Sequence, residues 1–233
     1  MDTKELTASD YLFKLWPWIE ANLKQIAYAG GAVAILVFFY FYYGYSQTRK
    51  EVTAGQALSQ VMVTGGASPQ ADAYLKVAAD YPGTVAGQRA LLEAAAALFT
   101  SAKYPEAQAQ FQKFLDTYPD PDNFFTPDAL LGVAAALDAQ GKTDLAISAY
   151  QKAAAQSGNV SVTASAKFAI ARIYDAQGKT AEAVKLYEEI ARAYPNSSFS
   201  NEAGLRAMEL KTKGPGAIAR PVPAVATPFT LTH

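Results

Sequence analysis

Residues 126–156 read TPDALLGVAAALDAQGKTDLAISAYQKAAAQ. Two segments flank Gly141, and in each the apolar residues recur at three and four, the spacing of an amphipathic helix. The second segment carries Lys142, then Ala146, then Tyr150, with a helix stop at Gly158. The same register appears at Lys103, Ala107, Phe111 and Pro119, and again at Lys179, Ala183, Tyr187 and Pro195. The units recur at 39 and 37 residues. A period of that length means stacked helix pairs, and such solenoids present long concave binding surfaces.

Starts and stops divide the repeats further. Thr84, Thr126, Thr143 and Thr180 each precede an apolar-periodic run and are expected to cap helix N-termini through their hydroxyls. Pro105 and Pro127 suit a first helical turn. Gly141 and Gly178 suit the left-handed conformation that ends a helix. Tyr-Pro pairs at 81–82, 118–119 and 194–195 stop three more. The expected hairpins are 84–102 with 105–118, 126–140 with 144–156, and 162–177 with 181–194. In each, a small residue of the first helix (Ala95, Ala134, Ala171) faces one of the second (Ala107, Ala146, Ala183). Phe111, Tyr150 and Tyr187 are expected to fill the space between hairpins.

Upstream, residues 25–48 carry no charge, and 26–45 read IAYAGGAVAILVFFYFYYGY. Twenty apolar residues at about 1.5 Å each span roughly 30 Å, the thickness of a bilayer core. A buried core helix is the alternative. Against it, Phe38 to Tyr43 and Tyr45 crowd one end, where tyrosine rings suit a membrane–water boundary, and Trp16 and Trp18 mark the other. A cleaved signal peptide would exit through small residues, whereas this stretch exits through Tyr43-Gly44-Tyr45. The reading is an uncleaved anchor. Lys4, Lys14 and Lys24 before it, against Arg49 and Lys50 after it, narrowly favour a cytoplasmic N-terminus. Ala27 and Gly31, and Gly30 and Ala34, form four-residue spacings of small side chains that let another membrane helix approach closely. Residues 9–24 are apolar on one side around Pro17 (Tyr11, Leu12, Leu15, Trp16, Ile19), consistent with a helix lying on the membrane or with a plain lead-in.

Composition excludes much chemistry. The chain has 20 basic and 21 acidic residues, which leaves no nucleic-acid footprint. It has no cysteine, and its one histidine is the final residue, His233. That removes thiol chemistry, most metal sites and histidine acid–base catalysis; the lack of cysteine also suits an oxidising compartment. Gly65-Gly66 lacks the Lys-Ser/Thr of a phosphate loop. Glu188-Glu189 and Asp120/Asp122 fit a helix surface and a loop rather than a metal site. No enzyme activity, cofactor, metal, nucleic acid or small-molecule substrate is expected.

The repeat register, with a small residue mid-way through the first helix, Ala early in the second, an aromatic four later and Pro eight after that, resembles the tetratricopeptide repeat. The resemblance covers about residues 87–195 and implies an all-α solenoid, here preceded by the single transmembrane helix read from residues 26–45. It also implies which residues line the groove: Leu92, Ala96 and Phe99; Leu131, Ala135 and Asp138; Phe168, Arg172 and Asp175. Family members that clamp a peptide carboxylate place Lys and Asn at several such positions. Here only Arg172 is basic, so the expected occupant is an apolar segment or partner helix; Leu92, Leu131 and Phe168 equally suit a core. Of the adjacent Phe124 and Phe125, one is expected to be an exposed anchor or else to pack under the next hairpin.

The resulting map is a cytoplasmic amphipathic lead (1–25), a transmembrane helix (26–45), a degenerate first repeat (46–84), three repeats (85–196), a capping helix (197–212) and an extended tail (213–233). That order is similar to the YfgM-like family of ancillary SecYEG translocon subunits, and TYPDPDNFFTPDALLGVAAALDAQGKTDLAISAYQKA looks like that family's repeats. The resemblance implies a bacterial inner-membrane protein with periplasmic repeats, acting as a non-catalytic adaptor for chaperones or client proteins near the translocon. The alternative is a structural accessory subunit of a larger respiratory or photosynthetic membrane complex.

Overall fold

Nine helices account for the regular structure of the described residues, which in this computed structural model are 17, 20–64 and 71–213. They are α1 (Leu23–Thr64), α2 (Ala71–Asp80), α3 (Val85–Thr100), α4 (Tyr104–Thr117), α5 (Thr126–Ala139), α6 (Thr143–Gln156), α7 (Val160–Ala176), α8 (Thr180–Ala193) and α9 (Ser200–Lys213). The readings of the amphipathic lead, Trp16 and Trp18, Gly65-Gly66 and the tail fall outside the described residues. The chain divides into two units, residues 1–52 and 53–233.

In the first unit, α1 is long and apolar enough to cross a membrane, and none of its apolar window is buried by other parts of the chain. Phe38 stacks on Tyr42 at 6.1 Å, one helical turn away. The phenol oxygen of Tyr43 accepts from Gln47 at 2.9 Å and that of Tyr45 accepts from Arg49 Nε at 2.7 Å. The aromatic end of the apolar run is therefore hydrogen-bonded to the first polar side chains beyond it. Ala27, Gly30, Gly31 and Ala34 are all exposed, and a Cβ added at either glycine would meet nothing within 4 Å.

The second unit is a succession of helical hairpins. Leu58 near the end of α1, Tyr74 and Val77 of α2, and Ala90 and Ala94 of α3 share one buried cluster. The three full hairpins close through three-residue links at 101–103, 140–142 and 177–179. In each hairpin the expected alanine pair is fully buried in one cluster: Ala95 with Ala107, Ala134 with Ala146, and Ala171 with Ala183. Small residues there let two helices approach without a void, and filled interiors are what side-chain packing rewards. Phe111 lies against the backbone of Gly132 in the next hairpin, Tyr150 packs with Val162 and Ala166 of α7, and Tyr187 packs with Ala203 and Ala207 of α9. Each such ring, fully removed from water, contributes about 2–3 kcal/mol of transfer free energy.

The links explain both the successes and the errors at the helix ends. Gly141 and Gly178 each have φ +72°, the left-handed region. Lys142 N–H donates to Leu137 and Gly141 N–H to Asp138; Lys179 and Gly178 repeat this on Tyr174 and Asp175. This paired closure is the Schellman motif. Ala102 holds the same place in the first hairpin at φ 57°, with Lys103 and Ala102 donating to Leu98 and Phe99. The motif makes the lysine the N-cap residue and moves the following threonine into the helix. Thr143 and Thr180 therefore do not cap; their hydroxyls turn back toward the carbonyls of Gly141 and Gly178. Thr126 does not cap either, because its hydroxyl donates to Asp120 O at 3.0 Å. Thr84 does cap, accepting from Gly87 N–H at 2.9 Å. Asn159 is a cap the sequence reading missed: its side chain accepts from Ser161 and Val162, so α7 begins two residues earlier than expected. The residues beyond the usual repeat length form a loop before α5 but lengthen α7 to 17 residues.

A candidate protein-binding face

The first helices of successive hairpins touch directly, α3 with α5 and α5 with α7. The nine expected groove residues all lie on these three helices. Leu92, Leu131 and Phe168 are 2%, 3% and 5% exposed and belong to three separate core clusters, so they give little surface to a ligand. Ala135 is also buried. Ala96, Phe99, Asp138, Arg172 and Asp175 are partly exposed. The Phe99 ring meets Tyr104 edge-on, with centroids 5.2 Å apart.

Arg172 is not a free cation. Its Nη2 pairs with Asp138 Oδ2, joining α7 to α5, while its Nε is buried without a hydrogen-bond partner. Burial raises the Asp138 carboxyl above its ordinary value, and the charge and hydrogen bond of Arg172 oppose that rise. Tyr150 lies within reach of the same pair: burial pushes its phenol well above 10, Asp138 adds to the rise and Arg172 opposes it. The next junction repeats the pattern. Burial raises the Tyr187 phenol, Asp175 adds to it, and Arg206 of α9 opposes it. In the first hairpin the corresponding residues are Phe99 and Phe111, and the ring of Phe111 sits on Gly132. The inner face thus changes from aromatic to ionic along the solenoid. The paired replacement of Phe99/Phe111 by Asp138/Tyr150 and Asp175/Tyr187 stood in the repeat register, but sequence reading treated each position alone.

Two further features flank this face. The loop before α5 is tied down by Asn123, which donates to Gln88 Oε1 at 2.7 Å and accepts from Phe125 N–H at 2.9 Å. Phe125 is buried against Phe114, whereas Phe124 is 79% exposed; both fates weighed for the pair occur, one in each residue. Asp128, in the first turn of α5, has its carboxyl raised to about 6 by burial. Among the described residues, no group of three or more acidic or histidine side chains is placed to hold a metal ion.

Comparison with known proteins agrees with the repeat register. The tetratricopeptide repeat family matches residues 92–161 and, overlapping them, 134–198. No curated protein matches the chain. Among solved structures, the crystal structure of MamA protein is similar at 19% identity and a TM-score of 0.47, covering 74% of this chain and 98% of that one. Residues 92–198 thus match tetratricopeptide repeats, within described residues that are all helical and include a long apolar helix toward the N-terminus.

Proposed function

We propose that this chain is a non-catalytic, membrane-anchored adaptor that binds other proteins through the inner face of its repeats. Tetratricopeptide repeats bind proteins, and one observation carries the rest: the same chain has an exposed apolar helix of bilayer-spanning length. The anchor is single-pass in a bacterial inner membrane, with the N-terminus cytoplasmic and the repeats periplasmic. The flanking lysines and the absence of cysteine support that orientation. The exposed small residues Ala27, Gly30, Gly31 and Ala34 form the side of the anchor that meets another membrane helix. The ligand lies along Ala96, Phe99, Asp138, Arg172 and Asp175, over a floor of Leu92, Leu131, Ala135 and Phe168. Following the YfgM-like resemblance, the partners are the translocon and periplasmic chaperones or clients.

Purification of the full chain in mild detergent, followed by mass spectrometry, tests the partners. Translocon components with periplasmic chaperones are expected. A fixed-ratio, cofactor-bearing complex overturns the adaptor reading in favour of an accessory subunit. Orientation is tested with a single cysteine in place of exposed Ser148: an impermeant maleimide should label it from the periplasmic side of intact cells, and labelling only after lysis overturns the topology.

A further inference from the structure

Phe124 is 79% exposed, yet the loop that carries it is firmly held. Its neighbour Phe125 is buried and meets it edge-on, with ring centroids 5.3 Å apart. Asp122 N–H donates to Asp120 Oδ1 at 3.0 Å, and the Thr126 hydroxyl donates to the Asp120 carbonyl at 3.0 Å. Asn123 ties the same loop to Gln88 of α3. The ring therefore projects from a backbone that is already ordered, and seating it in a pocket costs little further entropy. Asp120 and Asp122 precede it, both exposed and without an ion pair among the described residues. Residues 118–125 contain no basic side chain.

The same unit carries a groove of about 450 Å³ along the seam of α8 and α9. Ala191, Gly204 and Ala207 supply only small side chains there. Met208 adds a flexible thioether, a favourable neighbour for an aromatic ring. Glu188, Arg192 and Lys211 complete the lining. Lys211 is paired with Glu188, whereas Arg192 is exposed and makes no ion pair among the described residues. The groove thus has space for a ring and a net positive border, and the loop has a ring and a net negative border. One copy cannot bring the two together. Helix α9 lies two repeats beyond α5, and helices packed about 8–10 Å apart put the ring roughly 20 Å from its own groove.

We infer that Phe124 of one copy seats in the α8–α9 groove of a second copy, with Asp120 and Asp122 toward Arg192. One phenyl ring buries about 150–250 Å², well below the roughly 800 Å² per partner of a stable interface. The contact is therefore weak and reversible. Two copies that exchange rings reciprocally make it twice about one two-fold axis, and a series of copies can also repeat it head to tail. Neither arrangement uses the residues assigned to the ligand.

The absence of native cysteine makes the test direct. Pro121 and Leu205 are exposed positions beside the ring and the groove, and replacing them leaves Phe124, both aspartates and the groove lining intact. With a short bismaleimide and the full chain in mild detergent, Pro121→Cys with Leu205→Cys should cross-link one chain to another about tenfold faster than the control Pro121→Cys with Ser148→Cys. Phe124→Ser should remove that advantage. So should Gly204→Leu, whose Cβ meets only Ala191 at 3.8 Å, with the thermal midpoint unchanged or raised. Asp122→Lys should also remove it, and adding Arg192→Glu should bring it back. Equal rates in the two cysteine pairs, an advantage that survives Gly204→Leu, or a charge exchange that restores nothing overturns the proposal.

Discussion

Replacing Ala102 by glycine should stabilise this protein, although it removes a side chain and adds backbone freedom. Ala102 has φ 57° in the closing turn of the first hairpin, where Gly141 and Gly178 hold the equivalent places at φ +72°. An L-residue in that region is strained by about 1–2 kcal/mol relative to glycine. Against this, glycine gives the unfolded chain about 0.4–1 kcal/mol of additional conformational entropy to lose. The net expectation for Ala102→Gly is a gain of about 0.5–1 kcal/mol. The reciprocal Gly141→Ala should lose a similar amount, and there the cause is isolated, because a Cβ on Gly141 would meet nothing within 4 Å. For a domain of this size, 1 kcal/mol moves the midpoint by about 2–4 °C. Thermal melts of the full chain in mild detergent, followed by far-ultraviolet circular dichroism, should therefore shift in opposite directions for the two variants. A lower midpoint for Ala102→Gly, or shifts of the same sign, would refute the backbone-strain account.

Three other outcomes follow from packing and charge. Gly132→Ala puts a Cβ 2.6 Å from the Phe111 ring, so urea denaturation should show a loss of about 2 kcal/mol, with a smaller loss when Phe111→Leu is already present. Asp128 has a folded pKa of about 6 against 3.8 unfolded, so its contribution is fully present below pH 3.8 and is lost as pH rises to about 6. Asp128→Asn should be more stable than the parent by about 2 kcal/mol at pH 7, after a helix N-terminus offsets part of the roughly 3 kcal/mol, and no different near pH 3.5; a constant difference across that range contradicts it. Arg172→Ala leaves the Asp138 carboxylate half-buried without its counter-ion and should cost about 2 kcal/mol. Adding Asp138→Phe and Tyr150→Phe, which copies the first junction, should recover most of that loss in the same denaturation assay, and a triple variant no better than Arg172→Ala contradicts the account.

Local chemistry and short spacings were readable in the chain. The left-handed turns at Gly141 and Gly178, the prolines opening α4 and α5, and the alanine pairs at hairpin centres all depend on residues within one repeat. Ala102 escaped notice because alanine gives no sign of a positive φ; only its register with the two glycines does. The threonines at 143 and 180 misled for a related reason. A hydroxyl before an apolar run is a good cap by itself, but the three-residue Schellman closure decides which residue reaches the cap position, and it selects the lysine. On the inner face, the nine positions could be named from the repeat, but their exposure could not. Leu92, Leu131 and Phe168 sink into the core because neighbouring hairpins close over them. Arg172 finds its partner 34 residues away, a distance at which no spacing rule operates.

The junctions between hairpins connect stacking with recognition. Each one must fill the same space, and the chain does so in two ways: with two phenylalanines at the first, and with a tyrosine, an aspartate and a facing arginine at the second and third. A phenol in place of a phenyl ring keeps the buried volume but adds a hydroxyl, and a buried hydroxyl needs polar company. The charges of Asp138 and Arg172, and of Asp175 and Arg206, act on those phenols. On the adaptor reading, the partly exposed Asp138, Arg172 and Asp175 also meet the ligand, so packing a tyrosine places charges beside it. On that reading the series has a direction, from the Phe99 ring to the Asp138–Arg172 pair and Asp175. On the adaptor reading, a bound segment is oriented by that gradient: its apolar end belongs against Phe99, and a hydrogen-bonding end belongs at Asp175. A segment entered in reverse would bury an apolar side chain against the ion pair and leave a polar one on the rings, and both errors raise its free energy.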